Sequence, residues 1–415
     1  MYFNSYIFIL AFFPLLFIGY FSLCKLKAAR WGILWLLLGS VVFYLAYSIP
    51  LGMVLFCSVA FNYLLYRGML AARKTGNADS LLRIIRIVGV VANVALLFVF
   101  KYAAPFAGLL SSVFSTSFTV RILVPVGISF FTFSQISFVI DNTGEETASY
   151  SFADYCLFVL FFPKILSGPI VTAKQLIPQF HDPARKAVNF DNLSKGLFAF
   201  ALGLAKKVLL ADYFAIISDA CFGSVAVLSG FEAVAAIFAY SLQLYFDFSG
   251  YCDMASGVSL MLNIDLPQNF NSPYQAVDIT DFWKRWHITL TSFLTRYIYY
   301  PLGGNRKGKK RQYLNILIVF LVSGLWHGAG LTFIVWGLLH GLTSVLTRIL
   351  KPRIKLPKLL SQLTTFLLVT IFWVFFRSNT LTQAFQMLAA PFTRAWGSIN
   401  SSLSEALLQP TLYNI

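Results

Sequence analysis

Long uninterrupted runs of apolar residues constrain the fold of this chain more than any other feature. Two of them cover 7–23 and 32–47, and similar runs recur along most of the 415 residues. Hydrophobic residues make up 58% of the chain and charged residues 12%, unlike an ordinary soluble domain. A membrane β-barrel would instead show segments of about ten residues that alternate in polarity. The runs therefore predict membrane-spanning α-helices, each of which needs roughly 17–25 residues to cross a bilayer.

The pattern defines the fold class as an all-α polytopic membrane protein with about 11–12 transmembrane or re-entrant helices. The first run lacks a basic start and a small-residue cleavage site, so we expect an uncleaved helix. The sequence FFPKILSGPI at 161–170 and the polar residues at the start of 250–264 predict two re-entrant or interrupted elements. The stretch 265–312 is too polar to span, and an amphipathic helix is expected near 280–300. The expected spans are 5–24, 31–48, 50–66, 84–100, 102–118, 121–140, 151–168, 192–216, 232–250, 313–326, 329–347 and 359–376.

Basic residues predict how the chain is oriented in the membrane. The net charge is +16, from 32 Lys and Arg against 16 Asp and Glu. In a membrane protein such an excess marks cytoplasmic loops and attracts anionic lipid headgroups, so we expect membrane lipids and no nucleic acid as partners. The N-terminus is then expected outside. The residues that fix this orientation are Lys25, Lys27, Arg30, Arg67, Arg73, Lys74, Arg83, Arg86, Arg306, Lys307, Lys309, Lys310, Arg311, Arg348, Lys351, Arg353, Lys355 and Lys358.

One of only four histidines, His327, lies inside an apolar stretch, in the sequence SGLWHGAG at 323–330. Helical geometry places it about 24 Å from Arg311 and about 31 Å from Arg348, both expected in the cytoplasm. The segment therefore predicts a helical hairpin that turns near 328–330, with His327 within the membrane. An ionisable residue at that depth indicates a functional site, because its burial is costly. The alternative is a neutral imidazole bonded to a backbone carbonyl. Three glycines leave room around the ring for a ligand or another backbone: Gly324, Gly328 and Gly330.

Two further histidines are candidates for a functional site. His287 ends the block DFWKRWH at 281–287, and an interfacial belt of aromatic and cationic side chains is an equally good explanation of that block. His340 would lie about 20 Å along and about 220° around a continuous helix from His327, so these two are not expected to share a metal. The sequence has no H-E-x-x-H motif and no closely spaced cysteine pair, and we expect no metal site.

General-base catalysis is the chemistry that such a histidine supports. The chain has no G-x-S-x-G elbow and no Walker A loop, so no nucleophile or phosphate cradle is evident. Burial favours the neutral imidazole, which can accept a proton. The base could deprotonate a hydroxyl that attacks an acyl group. A thioester would be a suitable donor, because its thiol leaving group has a pKa of about 8.5.

Two blocks carry a resemblance to a known family. The sequences DFWKRWHITLTSFLTRYIYYPLGGNR at 281–306 and SGLWHGAGLTFIVWGLLHG at 323–341 resemble the membrane-bound O-acyltransferase (MBOAT) superfamily, and most of all its bacterial alginate O-acetylation branch. Further matches are VPVGISFFTFSQISFVID at 124–141, FFPKILSGPIV at 161–171 and TIFWVFFRSNTLTQAF at 370–385. The resemblance covers nearly the whole chain. It implies a single domain over 1–415, with N-terminal helices at 1–120, a catalytic core at 121–348 and C-terminal helices at 349–415.

The resemblance also implies an activity. His327 matches the invariant histidine of the family and His287 a more variable polar position, and both are expected to be catalytic, beside a central tunnel. No cofactor is expected to be bound. The co-substrate would be a cytoplasmic acyl thioester, either acetyl-coenzyme A or an acylated carrier protein. The acyl group would pass to a cell-surface polysaccharide or to a periplasmic or extracellular acetyltransferase partner, across a bacterial inner membrane.

Further residues are expected around these histidines. The tunnel is expected to be lined or shaped by Trp283, Lys284, Arg285, Trp286, Trp326 and His340. A phosphate-bearing donor could be held by a basic cluster, although its role as a topology anchor is equally plausible: Arg306, Lys307, Lys309, Lys310 and Arg311. Thr295 and Arg296 stand where the family pattern has an arginine and an aspartate. Relatives often continue with apolar sequence beyond Phe385.

Two alternative functions stay open at this point. Within the family, the acyl group could be D-alanine, delivered from a carrier protein to teichoic acids. A protein of another class, a transporter of the acyl donor, would require intramembrane carboxylates or broken helices. Asp247 and Asp253 are the residues that could support transport.

Overall fold

The computed structural model describes residues 1–26, 29–74, 78–114, 122–142, 149–350 and 356–396. Within these ranges all regular structure is helical. In the described part of the chain, five helices are long and apolar enough to cross a membrane: Phe8–Lys25, Ile49–Ala72, Asp79–Gly108, Leu331–Leu350 and Lys358–Arg377. Two shorter apolar helices, Arg30–Leu45 and Ile128–Asp141, accompany them. The prediction of an all-α membrane protein is therefore confirmed. Lys27, Lys351, Arg353 and Lys355 of the predicted cytoplasmic clusters lie outside the described residues.

The chain divides into two compact units. The first contains Met1–Ala201 and Asp253–Pro267. Its helices are a π-helical turn Phe8–Phe12, α1 (Phe13–Lys25), α2 (Ala29–Leu45), α3 (Ile49–Ala72), α4 (Ala78–Phe114), α5 (Ile128–Asp141), α6 (Phe152–Leu160), α7 (Phe162–Ile165), α8 (Ala173–His181) and most of α9 (Phe190–Ala205). The segment Asp253–Pro267 is held in this unit by Arg185, which donates to the carbonyl of Asn263 at 2.7 Å and pairs with Asp265 at 2.8 Å.

The second unit contains Leu202–Cys252 and the residues from Gln268 onward. Its core is built from buried aromatic side chains, among them Trp283, Trp286, Trp336 and Trp373. Its helices are a π-helix Lys206–Ala211, α10 (Asp212–Gly223), most of α11 (Gly230–Met261), α12 (Ile279–Arg285), α13 (Ile288–Leu294), a π-helix Thr295–Tyr299, α14 (Gly308–His327), α15 (Leu331–Leu350), α16 (Lys358–Arg377) and α17 (Leu381–Thr393). All three histidines proposed as functional belong to this unit.

Two predicted interruptions are absent from the structure. The expected span 84–100 and residues 102–114 of the next expected span form one helix, α4, while 115–118 lie outside the described residues. Within this helix Lys101, at the predicted boundary, donates from Nζ to Ser129 Oγ at 3.4 Å. A polar residue therefore did not end the helix. The predicted break near 250 is also wrong, since α11 continues through it. Asp247, just before it, pairs at 2.6 Å with Lys207.

Two other breaks do occur. The FFPKILSGPI segment is broken as predicted, since α6 ends at Leu160 and the short α7 follows. The amphipathic helix expected near 280–300 is instead two short helices, α12 and α13. They are separated by His287, whose backbone is left-handed at φ 43°. A single continuous helix cannot contain that conformation, because it breaks the right-handed pattern.

The predicted hairpin is formed by α14 and α15, which approach through glycines. A Cβ atom added at Gly324 would lie 2.3 Å from the carbonyl oxygen of Phe333, and one added at Gly337 would lie 2.4 Å from that of Phe320. Small residues let helix backbones come this close in membrane proteins. Gly328 faces the ring of Phe333, 2.3 Å from the position of its missing Cβ. At Gly324 and Gly328, the space predicted around the histidine is therefore filled by the partner helix.

The helix α16 packs antiparallel to α15 and extends the hairpin. His340 contacts Phe372 at 4.9 Å between ring centroids, while Trp336, one turn earlier, contacts Phe376 at 5.2 Å, one turn later. Arg348 and Lys358 therefore lie towards one end of the three helices. His327 lies at the other end, about 24 Å along α14 from Arg311.

The close approach at Gly324 gives a stability prediction. Gly324→Ala places a methyl group against a carbonyl that belongs to the helix backbone, so we expect a loss of about 1–3 kcal/mol and a lower apparent melting temperature in detergent. Gly108→Ala is the matched control, because nothing lies within 4 Å of its added Cβ. Equal melting temperatures for the two variants would contradict the packing described here.

Candidate active site

His327 is the last residue of α14 and the centre of the candidate site. The chain leaves the helix at Gly328, whose backbone is extended and whose N–H donates to the carbonyl of Gly324 at 3.3 Å. The imidazole contacts three aromatic rings, with centroid distances of 4.6 Å to Trp326, 5.2 Å to Trp336 and 5.0 Å to Phe376. It is half-buried. The ring is thus fixed by aromatic side chains of α14, α15 and α16 and still has an accessible part.

His287 lies between α12 and α13 and is only 2% exposed. Its Nδ1 is 3.1 Å from Asn269 Oδ1, an oxygen that also accepts from the backbone N–H of Thr289 at 3.2 Å. Because an amide oxygen only accepts, Nδ1 must donate. The neutral ring then carries its proton on Nδ1, and Nε2 is the basic nitrogen. Burial lowers the pKa of His287 to about 3. The ring is therefore neutral at physiological pH.

His340 is fully buried on α15 and is oriented by Trp283. The indole Nε1–H of Trp283 donates to His340 Nδ1 at 3.2 Å. An indole can only donate, so Nδ1 accepts and the neutral ring carries its proton on Nε2. Among the described residues, neither His340 Nε2 nor Trp336 Nε1 has a hydrogen-bond partner. Two buried N–H donors therefore lie one helical turn apart, on rings whose centroids are 5.0 Å apart.

Two tryptophans connect the three histidines. Trp326 contacts the rings of His287 at 6.4 Å and His327 at 4.6 Å. Trp336 contacts the rings of both His327 and His340, although these two histidines are on different helices. The large separation expected for a continuous helix does not apply, because the chain turns back after Gly328. The structure thus brings the three histidines together in one aromatic cluster.

The other residues predicted on and next to α12 differ in whether they contact this cluster. Trp286 packs on Trp373, with ring centroids 5.0 Å apart, and is 4% exposed. Arg285 pairs with Asp281 at 3.0 Å. The side chain of Lys284 is exposed on the outer face of α12. Of these four predicted residues, Trp283 contacts the cluster directly, through the rings of Trp336 and His340.

The basic cluster Arg306, Lys307, Lys309, Lys310 and Arg311 lies at the start of α14, at the opposite end from His327. The preceding loop is shaped by left-handed glycines, with φ 101° at Gly303 and 56° at Gly304. Asn315 holds this loop by donating to the carbonyl of Gly304 at 2.9 Å. The cluster is mostly exposed, and it is not in direct contact with the histidines.

Sequence reasoning missed three residues of the site. Trp336 links two histidines and lies one turn before His340, so its helical spacing was a usable signal. Phe376 contacts His327 from α16, a helix predicted without any link to the site. Asn269 sets the tautomer of His287 from a segment without periodicity, where no local pattern could reveal it. Among the described residues, no group of three or more His, Cys, Asp or Glu is placed to hold a metal ion.

Fold and site define a polytopic helical membrane enzyme with a histidine in its aromatic core. The family model for the membrane-bound O-acyltransferase family matches residues 78–380, and the chain belongs to this family. It is an O-acyltransferase. The peptidoglycan O-acetyltransferase of Helicobacter pylori is 41% identical over 418 residues, covering 93% of this chain and 79% of that protein.

Other relatives differ in how much of the chain they match. The probable alginate O-acetylase of Pseudomonas aeruginosa is 39% identical over 406 residues, covering 95% of this chain and 75% of that protein. The teichoic acid D-alanyltransferase of Bacillus subtilis is 28% identical over 232 residues, covering 52% of this chain and 56% of that protein. The chain is therefore more similar to these O-acetylating relatives than to the D-alanylating one.

The buried position of His287 predicts a dependence of stability on pH. The unfolded chain binds a proton at this histidine below about pH 6.5, but the folded chain does not until about pH 3. Stability therefore falls as the pH is lowered, by about 2 kcal/mol between pH 7 and pH 5 from this group alone. His287→Asn removes the titration, and Asn tolerates the left-handed backbone.

We expect the apparent melting temperature of His287→Asn in detergent to fall less between pH 7 and pH 5 than that of the wild type. His181→Asn is the control, since His181 is a half-exposed histidine paired with Asp154. An identical fall in wild type and His287→Asn would contradict the buried neutral ring.

Proposed function

We propose that this chain transfers an acyl group, specifically acetyl, from a cytoplasmic thioester to a hydroxyl of a cell-surface polysaccharide, or to a partner protein that modifies one. The observation that carries the proposal is the half-buried His327 held by aromatic rings of three helices. Relatives named for the O-acetylation of peptidoglycan and alginate support the polysaccharide acceptor. The donor is acetyl-coenzyme A or an acylated carrier protein, and no bound cofactor takes part.

The reaction needs two proton transfers, one to His327 and one from it, and one exchange of bonds. His327 takes the proton of the acceptor hydroxyl while the oxygen attacks the thioester carbonyl carbon. The tetrahedral intermediate collapses with cleavage of the carbon–sulfur bond. The thiolate then receives the proton from the imidazolium, which restores neutral His327. Because the thiol has a pKa of about 8.5, it leaves readily without a stronger acid.

The negative charge that develops on the carbonyl oxygen needs hydrogen-bond donors. The Nε1–H of Trp336, whose ring contacts His327, and the Nε2–H of His340, whose ring contacts Trp336, are buried and have no acceptor among the described residues. Leaving such donors unpaired costs about 1–3 kcal/mol each. A carbonyl oxygen that acquires charge during the reaction would use them. Trp283 acts as a positioning residue, because its hydrogen bond keeps the proton of His340 on Nε2.

His287 has a different role in this scheme. Its Nε2 is the basic nitrogen of a neutral ring, and Trp326 lies against both His287 and His327. We assign to His287 the role of orienting the acceptor hydroxyl, from which its Nε2 accepts a hydrogen bond. Trp286 and Arg285 shape the wall around it, and Trp326 lines the predicted tunnel. The single-domain organisation with a core over 121–348 remains a prediction of the resemblance.

The direction of transfer follows from the basic ends of the helices. Arg311, Arg348 and Lys358 lie towards the ends of α14, α15 and α16 that are opposite to His327. Positively charged ends stay in the cytoplasm, so the donor enters there and the acceptor meets His327 towards the outer half of the membrane. The same rule puts the N-terminus outside a bacterial inner membrane.

Transfer of D-alanine to teichoic acids is the second candidate, and the similarity to the D-alanyltransferase of Bacillus subtilis favours keeping it. Membership in an O-acyltransferase family favours an enzyme over a transporter. Asp247 offers little support for transport, because it is engaged with Lys207 at 2.6 Å.

Removal of the base is the first test of the proposed function. We expect His327→Ala to abolish acyl incorporation into the cell envelope while the protein remains in the membrane at the wild-type level. His181→Ala is the control and is expected to keep full activity, since its ring is half-exposed and belongs to the other unit. Retained incorporation by His327→Ala would refute the assignment.

The role of Trp336 as a hydrogen-bond donor to the carbonyl oxygen is tested by Trp336→Phe. This change keeps an aromatic ring but removes the N–H group, so we expect the rate of transfer to fall on the order of 10²-fold, while the protein stays folded with a melting temperature lowered by the lost ring volume. Trp31→Phe, at an exposed position, is the control. An unchanged rate in Trp336→Phe would exclude its indole N–H from the reaction.

The acyl group is identified by isotope labelling. Cells with and without an active copy of this chain are grown with labelled acetate or with labelled D-alanine. We expect envelope-bound acetate, and not D-alanine, to depend on the chain and on His327. Dependence of the D-alanine label would establish the second candidate instead.

A further inference from the structure

A polar cavity of about 390 Å³ opens beside the outer face of α12. All of its walls belong to the second unit. They come from the segment before α12, from α12 itself and from the first turns of α16. The lining residues are Gln275, Val277, Asp278, Thr280, Asp281, Lys284, Arg285, Lys358 and Gln362. A cavity of this size is within the range of small-ligand sites.

The acidic groups of this cavity are used by the protein itself. Asp278 caps α12 by accepting the backbone N–H of Asp281 at 2.8 Å. The carboxylate of Asp281 accepts the N–H of Val277 at 3.1 Å and pairs with Arg285 at 3.0 Å. Two carboxylates and one guanidinium are therefore engaged in holding the start of α12. Because these charges are already paired within the protein, the remaining cations determine which ligand the cavity attracts.

Those cations are Lys284 and Lys358. Neither ammonium group has a hydrogen bond or an ion pair among the residues that the structure describes, and both side chains are exposed. Each ammonium has three donors and no acceptor. Two such groups lining one cavity give it a positive potential, which attracts an anion. An anionic ligand would accept hydrogen bonds from both ammonium groups.

The walls that carry these lysines are joined by hydrogen bonds. Gln362 on α16 donates to the carbonyl of Gln275 at 2.8 Å. Arg348 at the end of α15 donates to Thr280 Oγ1 on α12 at 3.0 Å. The cavity therefore has a preformed shape, which limits the ordering cost of binding.

We propose that this cavity binds a phosphate group through Lys284 and Lys358, and that the phosphate belongs to the thioester donor. The donor assignment rests on the proposed function. Both coenzyme A and the prosthetic arm of an acyl carrier protein bear phosphate next to the arm that ends in the thiol. The cavity supplies ammonium donors of the kind that bind phosphate as point charges.

The position of the cavity relative to His327 supports this ligand. Lys358 begins α16, and Phe376 on the same helix contacts His327, about 27 Å further along. Trp283, the neighbour of Lys284, donates to His340 in the aromatic cluster. A donor whose phosphate end is held at the cavity would therefore extend its flexible arm past His340 towards the base.

The same phosphate chemistry could come from an anionic lipid headgroup. Leu356, Leu359 and Leu360 are exposed beside Lys358 and would face lipid. The experiment therefore compares coenzyme A, pantetheine (which lacks all phosphates) and phosphatidylglycerol in nanodiscs. Binding of each is measured on the full-length chain for wild type, Lys284→Ala/Lys358→Ala and the control Lys74→Ala, an exposed lysine in another loop.

We expect the double variant to weaken coenzyme A binding at least tenfold, as the loss of charge-assisted hydrogen bonds requires, and to leave pantetheine binding unchanged. Lys74→Ala should bind all probes like the wild type. If the double variant instead retained less phosphatidylglycerol and bound coenzyme A as the wild type does, the cavity would still be a phosphate site. Its ligand would then be a lipid headgroup, and the assignment to the thioester donor would be wrong.

Unchanged binding of both phosphate-bearing probes would overturn the proposal. So would a loss of coenzyme A binding in Lys309→Ala/Lys310→Ala but not in the cavity variant. The proposed function is judged separately by His327→Ala, which should lose acyl transfer and still bind coenzyme A. Failure of one proposal is thus distinguishable from failure of the other.

Discussion

The close contact between the backbones of α14 and α15 is the constraint on which the site depends. At Gly324 and Gly337 there is no room for a side chain, because a carbonyl oxygen of the partner helix occupies that position. If the helices moved apart by the width of a methyl group, Trp336 would lose its contact with His327. The hairpin brings the end of α14 against the first turns of α15, and the aromatic cluster is built on that contact.

Within this cluster, neighbouring side chains give each histidine a different chemical character. Asn269 makes the Nε2 of His287 an acceptor, whereas Trp283 makes the Nε2 of His340 a donor. His327 is the one with an accessible part. A membrane interior makes such differences large, because unpaired polar groups are costly there. Three histidines of one cluster can therefore serve as a hydrogen-bond acceptor, a hydrogen-bond donor and a base.

The parts of the fold that the sequence could predict are those governed by strong local signals. Apolar runs and basic ends predicted the hairpin around His327, and the proline-containing segment predicted the break after Leu160. Polar residues inside apolar helices were misleading, because tertiary partners satisfy them: Ser129 bonds to Lys101, and Lys207 pairs with Asp247.

The site was less predictable than the fold for a related reason. Trp336 and His340 share a helix face, so their proximity follows from spacing alone. The contact of Asn269 with His287, and that of Phe376 with His327, join elements distant in sequence. No periodic pattern encodes such contacts. In the sequence, Lys358 at the start of α16 resembles the many other basic residues that indicate topology, and only the fold shows that it lines the same cavity as Lys284.

The position of His327, at the end of α14 opposite the basic ends of α14, α15 and α16, has a consequence for charge movement. In the proposed reaction, the proton that His327 takes leaves with the released thiol on the donor side. The acyl group replaces the proton of the acceptor hydroxyl, and that proton ends on the thiol. In the proposed orientation, an acyl group therefore moves outward in exchange for a proton that moves inward. That exchange carries no net charge across the bilayer, and the membrane potential would neither drive nor oppose it.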